Sequence, residues 1–396
     1  MIYLVVVFVL LVLAIHYDIN GKTINRDFWY RLMLLTFILI AGLRWRLGLD
    51  TPNYLGYFYH NYPPLSEFSF ENYTISNHPL YVLINSAIIS LGGRFFVVQL
   101  IQSSIVNILI FKYIRKHSSY IFTCIFFYFT CYCYTEFNME IMKGGISIVI
   151  CLFAFDYILE KKILKGFALL VLALLFHVQT LILFVLPIFF FLRLNKTGVI
   201  FIIGAFVLGY CLQLLLGEYV FLLENLEENV ADKAEGYAES DKYGNQIHNW
   251  KYISVFFLPW AIYSLLSLLY MKKRDAQNSL LRIEPIAIIG IMFIMIQLNF
   301  QIAYRFVDYF RIHFLLLFTE LFYGLAKDNR LLSRSVAYVR AFVVFVPLFF
   351  MIFFNNYLRR VQYYPYSSVI ERTIDKHREH RFMETQNRPR ANRNEF

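Results

Sequence analysis

The chain has 396 residues, of which 59% are hydrophobic, 19% are aromatic and 16% are charged, with a formal net charge of +10. A mean hydropathy of +0.54 leaves no room for a soluble domain of ordinary size and predicts a polytopic membrane protein. The basic residues are scattered through short connections between apolar segments, as membrane orientation requires, which argues against a nucleic-acid-binding protein.

Successive apolar segments are about 20 residues long, enough to cross a hydrocarbon layer of roughly 30 Å. The first has neither a basic start nor a cleavage site of small residues, so we interpret it as a retained helix. The predicted helices are 2–16, 28–43, 94–114, 120–134, 141–159, 165–192, 198–216, 252–270, 283–298, 310–325 and 336–354. With shorter pieces they predict an all-α polytopic membrane protein of about 10 to 13 transmembrane or re-entrant helices.

The predicted organisation is a multi-pass domain over 1–358 and a polar, mildly basic tail over 359–396. Between two helices of this domain, the acidic loop 217–250 is expected to form an extracytoplasmic cap. The segments 135–140 and 299–309 are expected to be connections on the same side.

Five basic clusters fix the orientation, because connections rich in Lys and Arg stay in the cytoplasm. They are Lys112/Arg115/Lys116, Lys161/Lys162/Lys165, Arg193/Lys196, Lys272/Lys273/Arg274/Arg282 and Lys327/Arg330/Arg334. Both flanks of 165–192 then lie inside, so this segment must enter the membrane and return. We predict two half-helices that meet around His177.

The short segment 79–91 decides on which side the second helix ends. A helix that rises about 1.5 Å per residue is too short over this range to span a membrane, and we interpret it as re-entrant or interfacial. The residues around Asp50 then lie outside. If 79–91 spans, they lie in the cytoplasm.

Four places carry polar groups within apolar sequence: Arg44/Arg46/Asp50, Lys143, His177 and Arg305/Asp308/Arg311/His313. The predicted topology brings them to one side of the membrane. Several cations around one pocket suit a polyanion, since guanidinium matches phosphate oxygens in pairs. A histidine of near-neutral pKa can accept a proton from a hydroxyl.

Each group also has a purely structural interpretation. Arg44, Arg46 and Lys143 could be helix-end residues whose charges reach the membrane surface. Asp50 could stabilise a turn before Pro52. In the same way, His177 could be a core histidine, and Arg305 and Asp308, which are three apart, could form an intrahelical pair.

Four segments carry a resemblance to a known family. They are GLRWRLGLDTPNY at 42–54, LALLFHVQT at 172–180, YRFVDYF at 304–310 and YYPYSSV at 363–369. The first resembles R-x-x-x-G-x-D-x-x-x-Y, the second A-x-x-F-H-x-[ST] and the third R-x-x-x-Y-F of the EpsG family of exopolysaccharide-assembly membrane proteins, which is similar in role to the Wzy O-antigen polymerases. Where that family usually has Arg-Gln, this chain has Lys143-Gly144, and its Thr180 is shifted.

The resemblance implies a GT-C-like polymerase or ligase architecture in the bacterial inner membrane, with its site facing outward. It implies a polymerase that joins repeat units carried on undecaprenyl diphosphate, working beside other polysaccharide-assembly proteins such as a flippase and a chain-length regulator. The expected catalytic residues are His177 and Asp50. The expected substrate-binding residues are Arg44, Arg46, Lys143, Arg305, Tyr54 and Tyr309.

No divalent-metal pair, nucleotide loop or serine-hydrolase motif is found in the sequence, so we expect metal-independent chemistry without a cofactor. A lipid-linked oligosaccharide flippase is the main alternative, because its anion pocket would need the same cations. A membrane O-acyltransferase and a structural partner of a polysaccharide complex are further alternatives. A transporter commonly shows two related halves, and no convincing internal repeat is found.

Overall fold

The computed structural model describes residues 2–48, 50–73, 75–218, 257–274, 279–327 and, near the C-terminus, 338, 341–342, 363 and 366–372. The helices of ten or more residues are α1 (Ile2–Leu13), α2 (Arg26–Gly42), α3 (Thr51–His60), α4 (Pro79–Ser90), α5 (Phe95–His117), α6 (Ile121–Thr130), α7 (Met142–Leu159), α8 (Ile163–Phe176), α9 (Lys196–Glu218), α10 (Leu258–Arg274), α11 (Glu284–Asn299) and α12 (Arg311–Lys327). Six helical stretches in this part of the chain are long and apolar enough to cross a membrane. The protein is thus an all-α multi-pass membrane protein, as predicted.

The helices form two units. The first contains 1–188 with 331–386, and the second contains 189–330 with 387–396. The first unit therefore holds α1 to α8, and the second holds α9 to α12.

Ion pairs and hydrogen bonds hold the helices together at one end of the first unit, which we call its basic end. At the C-terminus of α5, Lys116 Nζ and His117 Nε2 each lie 2.7 Å from a carboxylate oxygen of Asp156, near the C-terminus of α7. At the start of α2, Arg26 donates to the Ser119 carbonyl at 3.0 Å. Asp18, which follows α1, accepts from the Thr123 backbone N–H in the first turn of α6 at 2.7 Å. These contacts put the predicted cytoplasmic clusters around 112–116 and 161–165 at one end.

The opposite end of the first unit holds the start of α7 and the end of α8. Gly144, in the first turn of α7, faces the imidazole of His177, which follows α8. The His78 ring, directly before α4, lies 5.1 Å from the His177 ring between centroids. We call this end the polar end.

Helix α4 does not cross the first unit. Its first residues adjoin His177 at the polar end, and the next helix, α5, begins at that end and runs to the basic end. Phe95, the first residue of α5, contacts Phe58 of α3 with ring centroids 5.8 Å apart. The twelve residues of α4 span about 18 Å at 1.5 Å per residue, so α4 is not among the stretches long enough to cross a membrane. That 79–91 is re-entrant or interfacial stays a prediction.

The predicted interruption at His177 is confirmed, although its second half differs from the expectation. Helix α8 ends at Phe176, and His177 has extended backbone with φ −155°. Short 3₁₀ turns follow over Val178–Phe184 and Leu186–Phe189. Phe184 contacts Phe167 of α8 with ring centroids 5.9 Å apart, so the second half runs back along the first. Pro187 lacks the backbone N–H that a regular α-helix needs there.

The prediction of one helix over 120–134 is wrong. Helix α6 ends at Thr130, and Tyr132 has left-handed backbone with φ 68°. The following segment, predicted as a connection, is a π-helical turn over Glu136–Glu140 whose residues are all buried. Hydrophobicity alone did not reveal this break, because the residues on both sides of it are apolar or aromatic.

The four helices of the second unit alternate in direction. Glu284, at the start of α11, lies 2.5 Å from Lys272 Nζ at the end of α10 and accepts from the Leu194 backbone N–H at 2.5 Å. At the other end, the Arg311 guanidinium of α12 lies 5.8 Å from the Trp260 ring in the first turn of α10. Arg305 and Asp308 lie just before α12, so within this unit they sit opposite the basic residues around 193–196 and 272–274.

Several predictions fall on parts of the chain that the structure leaves out. The predicted helix 336–354, most of the acidic loop 217–250 and most of the tail 359–396 lie outside the described residues.

We predict that Glu284→Gln destabilises the second unit. The Glu284 side chain is 3% exposed and joins Lys272 and Arg193, which are 32% and 46% exposed. Loss of its charge removes a charge-assisted hydrogen bond worth about 1.5 to 3 kcal/mol. A lower melting temperature of the detergent-solubilised protein would show it, with the exposed Glu67→Gln as control. Equal melting temperatures of the two variants would contradict the prediction.

Candidate functional site

Arg44 is a buried residue that braces the turn after α2. It is 1% exposed. Its Nη1 donates to the Ala41 carbonyl at 2.5 Å and its Nε to the Leu47 carbonyl at 3.3 Å. Burial lowers the pKa of Arg44 to about 10, so the guanidinium is still protonated at neutral pH. Arg44, which was predicted to bind the diphosphate, therefore donates to backbone carbonyls at the end of a helix.

The turn that contains Arg44 pairs with the segment 366–372 near the C-terminus. The Trp45 backbone N–H donates to the Ser367 carbonyl, and the Val369 N–H donates to the Leu43 carbonyl, both at 2.8 Å. The Arg372 guanidinium lies 5.1 Å from the Trp45 ring. The first and the last of the four family-like segments are therefore neighbours in space.

The same turn also packs against the buried π-helical turn Glu136–Glu140. Gly48 has φ +103°, and a Cβ atom there would overlap the Met139 carbonyl oxygen. Thr51, at the start of α3, donates to the Leu47 carbonyl at 2.5 Å. These contacts fix the backbone on both sides of Asp50, which is half-buried.

Four predicted site residues of the first unit converge beside this turn. The Tyr54 hydroxyl lies near the backbone N–H of Lys143 and near the Asp50 carboxylate. The adjacent Gly144 packs against His177, and a Cβ atom at position 144 would lie 2.9 Å from His177 Cδ2. Lys143, His177 and Asp50 are all half-buried, so they can meet a bound group.

Arg46 lies on the same turn but adopts a different environment from Arg44. It is half-buried, has left-handed backbone with φ 51°, and its guanidinium lies 5.2 Å from the Trp45 ring. A left-handed conformation is uncommon for a residue with a long side chain. This conformation changes the direction of the chain at Arg46. The Arg44 side chain is enclosed, and the Arg46 side chain remains partly exposed.

Sequence reasoning missed two features of this region. The first is His78, whose ring contacts that of His177; the neighbouring His78-Pro79 pair at the start of a helix was its only sequence signal. The second is Glu140, which is buried and accepts a hydrogen bond from the Tyr363 hydroxyl. Tyr363 also shares a hydrogen bond of 3.0 Å with Tyr132. Tyr363 is more than 200 positions from Glu140 and Tyr132, so no local pattern could join them.

The predicted site residues of the second unit form a cluster of their own. Asp308, in the 3₁₀ turn before α12, pairs with Arg311 at 2.8 Å. Arg305 lies 5.8 Å from the Tyr304 ring. Tyr309 is 1% exposed, which leaves its ring no open face for a sugar in this conformation. Among the described residues, no three His, Cys, Asp or Glu side chains are placed to hold a metal ion.

The comparison with known families decides what kind of protein carries these residues. The sequence profile of the EpsG family matches residues 27–368. The chain belongs to the EpsG family. No curated protein and no solved structure matches it. As an EpsG family member it is a polysaccharide-assembly membrane protein, and the matched range covers most of both units and all predicted site residues.

We predict that Gly48→Ala disrupts the turn that carries Arg44, Arg46 and Asp50. The new methyl group would meet the Met139 carbonyl, and alanine is strained at φ +103°, at a cost of about 1 to 3 kcal/mol. Gly56→Ala on α3 is the matched control, because a Cβ atom there meets nothing within 4 Å. Faster proteolysis at this turn in Gly48→Ala alone is the expected result. Equal proteolysis of the two variants would show that the turn tolerates a side chain.

Proposed function

We propose that this EpsG family protein is a polysaccharide polymerase that joins oligosaccharide repeat units carried on undecaprenyl diphosphate. In this proposal it works at the outer face of the bacterial inner membrane, in exopolysaccharide, capsule or O-antigen assembly. The supporting observation is the grouping of Lys143, His177, Asp50 and Tyr54 at the polar end of the first unit, opposite its cytoplasmic-type basic clusters.

The proposed reaction is a glycosyl transfer without a metal. A sugar hydroxyl of the acceptor unit attacks the anomeric carbon of the donor glycan, while the bond from that carbon to the lipid diphosphate breaks. The hydroxyl proton passes to His177 or Asp50, either of which can act as general base. Negative charge grows on the departing diphosphate, and fixed cations stabilise it best when they are already in position.

We propose different roles for the cations on the basis of their burial and contacts. Arg46 and Lys143 are half-buried and can meet diphosphate oxygens, and Arg305 of the second unit is half-buried as well. Arg44 holds the turn through backbone carbonyls, so we propose that it acts mainly as a positioning residue. Its charge still contributes to the field at the polar end, because low-dielectric surroundings screen it weakly.

The proposal predicts that His177→Ala, Arg46→Ala and Arg305→Ala leave the protein in the membrane but abolish long glycan chains. Lipid-linked single units should then accumulate on the outer leaflet, as glycan gel profiles and outer-leaflet labelling of lipid-linked sugars would show. Gly144→Ala should give a partial loss of about 10- to 100-fold, since it displaces the His177 ring while keeping every polar group. Gly56→Ala again serves as the control.

The same strains test the alternative function. If lipid-linked units accumulate on the inner leaflet, the protein is a flippase and the polymerase proposal fails. We keep the flippase as the second candidate, because the half-buried basic groups at the polar end would bind a diphosphate whether or not a glycosyl transfer follows.

We predict that a cysteine at position 50, made by Asp50→Cys, reacts with a membrane-impermeant maleimide added outside intact cells. Cys211 is exposed in the described structure while Cys124, Cys131, Cys133 and Cys151 are buried, so Cys211→Ser is the suitable background. Lys22→Cys, at the basic end, should react only after the membrane is opened. The reverse labelling pattern would place the polar end in the cytoplasm and contradict an outward site.

A further inference from the structure

A cavity of about 250 Å³ lies at the basic end of the first unit, at the opposite end from the candidate site. Residues at the start of α2 form one wall, and the junction between α5 and α6 forms the other. The lining residues that matter here are Arg26, Asp27, Tyr30, Arg115, Ser118 and Ser119. The cavity thus has two guanidinium groups and one carboxylate around a space large enough for a phosphate group and its ester carbon atoms.

Arg26 is held in place while part of its guanidinium is left unused. Its Nη2 donates to the Ser119 carbonyl at 3.0 Å and lies 3.6 Å from Asp18. Asp18 is itself engaged by both the N–H and the hydroxyl of Thr123. The buried Nε of Arg26 has no hydrogen-bond partner among the described residues. A buried donor without an acceptor is unfavourable, so an acceptor in this space would stabilise the site.

Arg115 forms the more open side of the cavity. Its guanidinium pairs with Asp27 at 3.0 Å, with the two side chains 49% and 65% exposed, and it lies 5.1 Å from the Tyr30 ring. The ring attracts the guanidinium, while the exposed ion pair with Asp27 is weak. A ligand with a stronger negative charge can therefore compete with Asp27 for Arg115.

We infer that this cavity binds the phosphate group of a phosphate ester, whose oxygens accept hydrogen bonds from Arg26 and Arg115. Guanidinium matches phosphate oxygens in pairs, and the two arginines face one space. The favoured source is an anionic phospholipid, because the exposed Lys22 and Lys112 lie at the same end and basic pockets at the cytoplasmic surface attract lipid headgroups. This inference does not depend on the proposed polymerase activity.

The test uses the full chain in detergent and measures retention of phosphatidylglycerol by native mass spectrometry. Arg115→Gln should lower retention, and Asp27→Asn should raise it about two- to five-fold, because it frees Arg115 from an exposed ion pair. Lys22→Gln removes a charge at the same end outside the cavity and should lower retention far less than Arg115→Gln does. The gain expected for Asp27→Asn keeps the test valid even if an arginine variant folds poorly.

A second arm separates the two sources of phosphate. If soluble glycerol phosphate displaces the lipid only at concentrations far above the millimolar range, the site is one for a lipid headgroup. If it displaces the lipid at much lower concentrations, the site is one for a soluble phosphate ester. Retention that is the same in Arg115→Gln, Asp27→Asn and the unchanged protein would overturn the inference. An equal loss in Lys22→Gln would overturn it too, since it would show a general effect of surface charge.

Discussion

The structure depends on one constraint: wherever a helix ends inside apolar surroundings, its free backbone groups need partners. The clearest solution is Arg44, which donates to the Ala41 and Leu47 carbonyls and closes the end of α2 from within. The backbone of Ser367 and Val369 then pairs with Trp45 and Leu43, the residues on either side of Arg44. Burial of a guanidinium costs free energy. Here its N–H groups offset that cost by donating to carbonyls that are buried away from water.

The other helix breaks of the first unit follow the same rule and gather at the same end. Tyr132 turns the chain between α6 and the π-helical turn, and Gln102 donates to the Phe137 carbonyl of that turn at 2.8 Å. His177 separates α8 from the 3₁₀ segment, where Ser147 and Thr180 share a hydrogen bond of 2.5 Å. Non-helical backbone at membrane depth is tolerated where protein or a cavity surrounds it. The polar end is therefore the part of this unit where polar chemistry can be placed.

The sequence predicted the overall pattern well because membrane physics is largely local. The lengths of the apolar segments predicted where the helices lie, and the Lys and Arg clusters predicted which helix ends lie together. The basic end of the first unit confirms this second prediction for 112–116 and 161–165. What the sequence could not predict were contacts between distant segments. Glu140 and Tyr363 are 223 positions apart, and His78 meets His177 only because α4 folds back without crossing. The burial of Arg44 was hidden for the same reason, since its enclosure depends on residues 366–372.

The Lys143-Gly144 pair, where the resemblance led us to expect Arg-Gln, has close neighbours on both sides. Gly144 lies against the His177 ring, and a Cβ atom there would already be 2.9 Å from Cδ2. Gly145 faces the Phe137 carbonyl, where a Cβ atom would overlap the oxygen. Two glycines thus let the start of α7 approach both the histidine and the π-helical turn. A glutamine at 144 would push the imidazole away, whereas an arginine at 143 would only lengthen a half-buried side chain. Position 144 is therefore tied to the placement of His177.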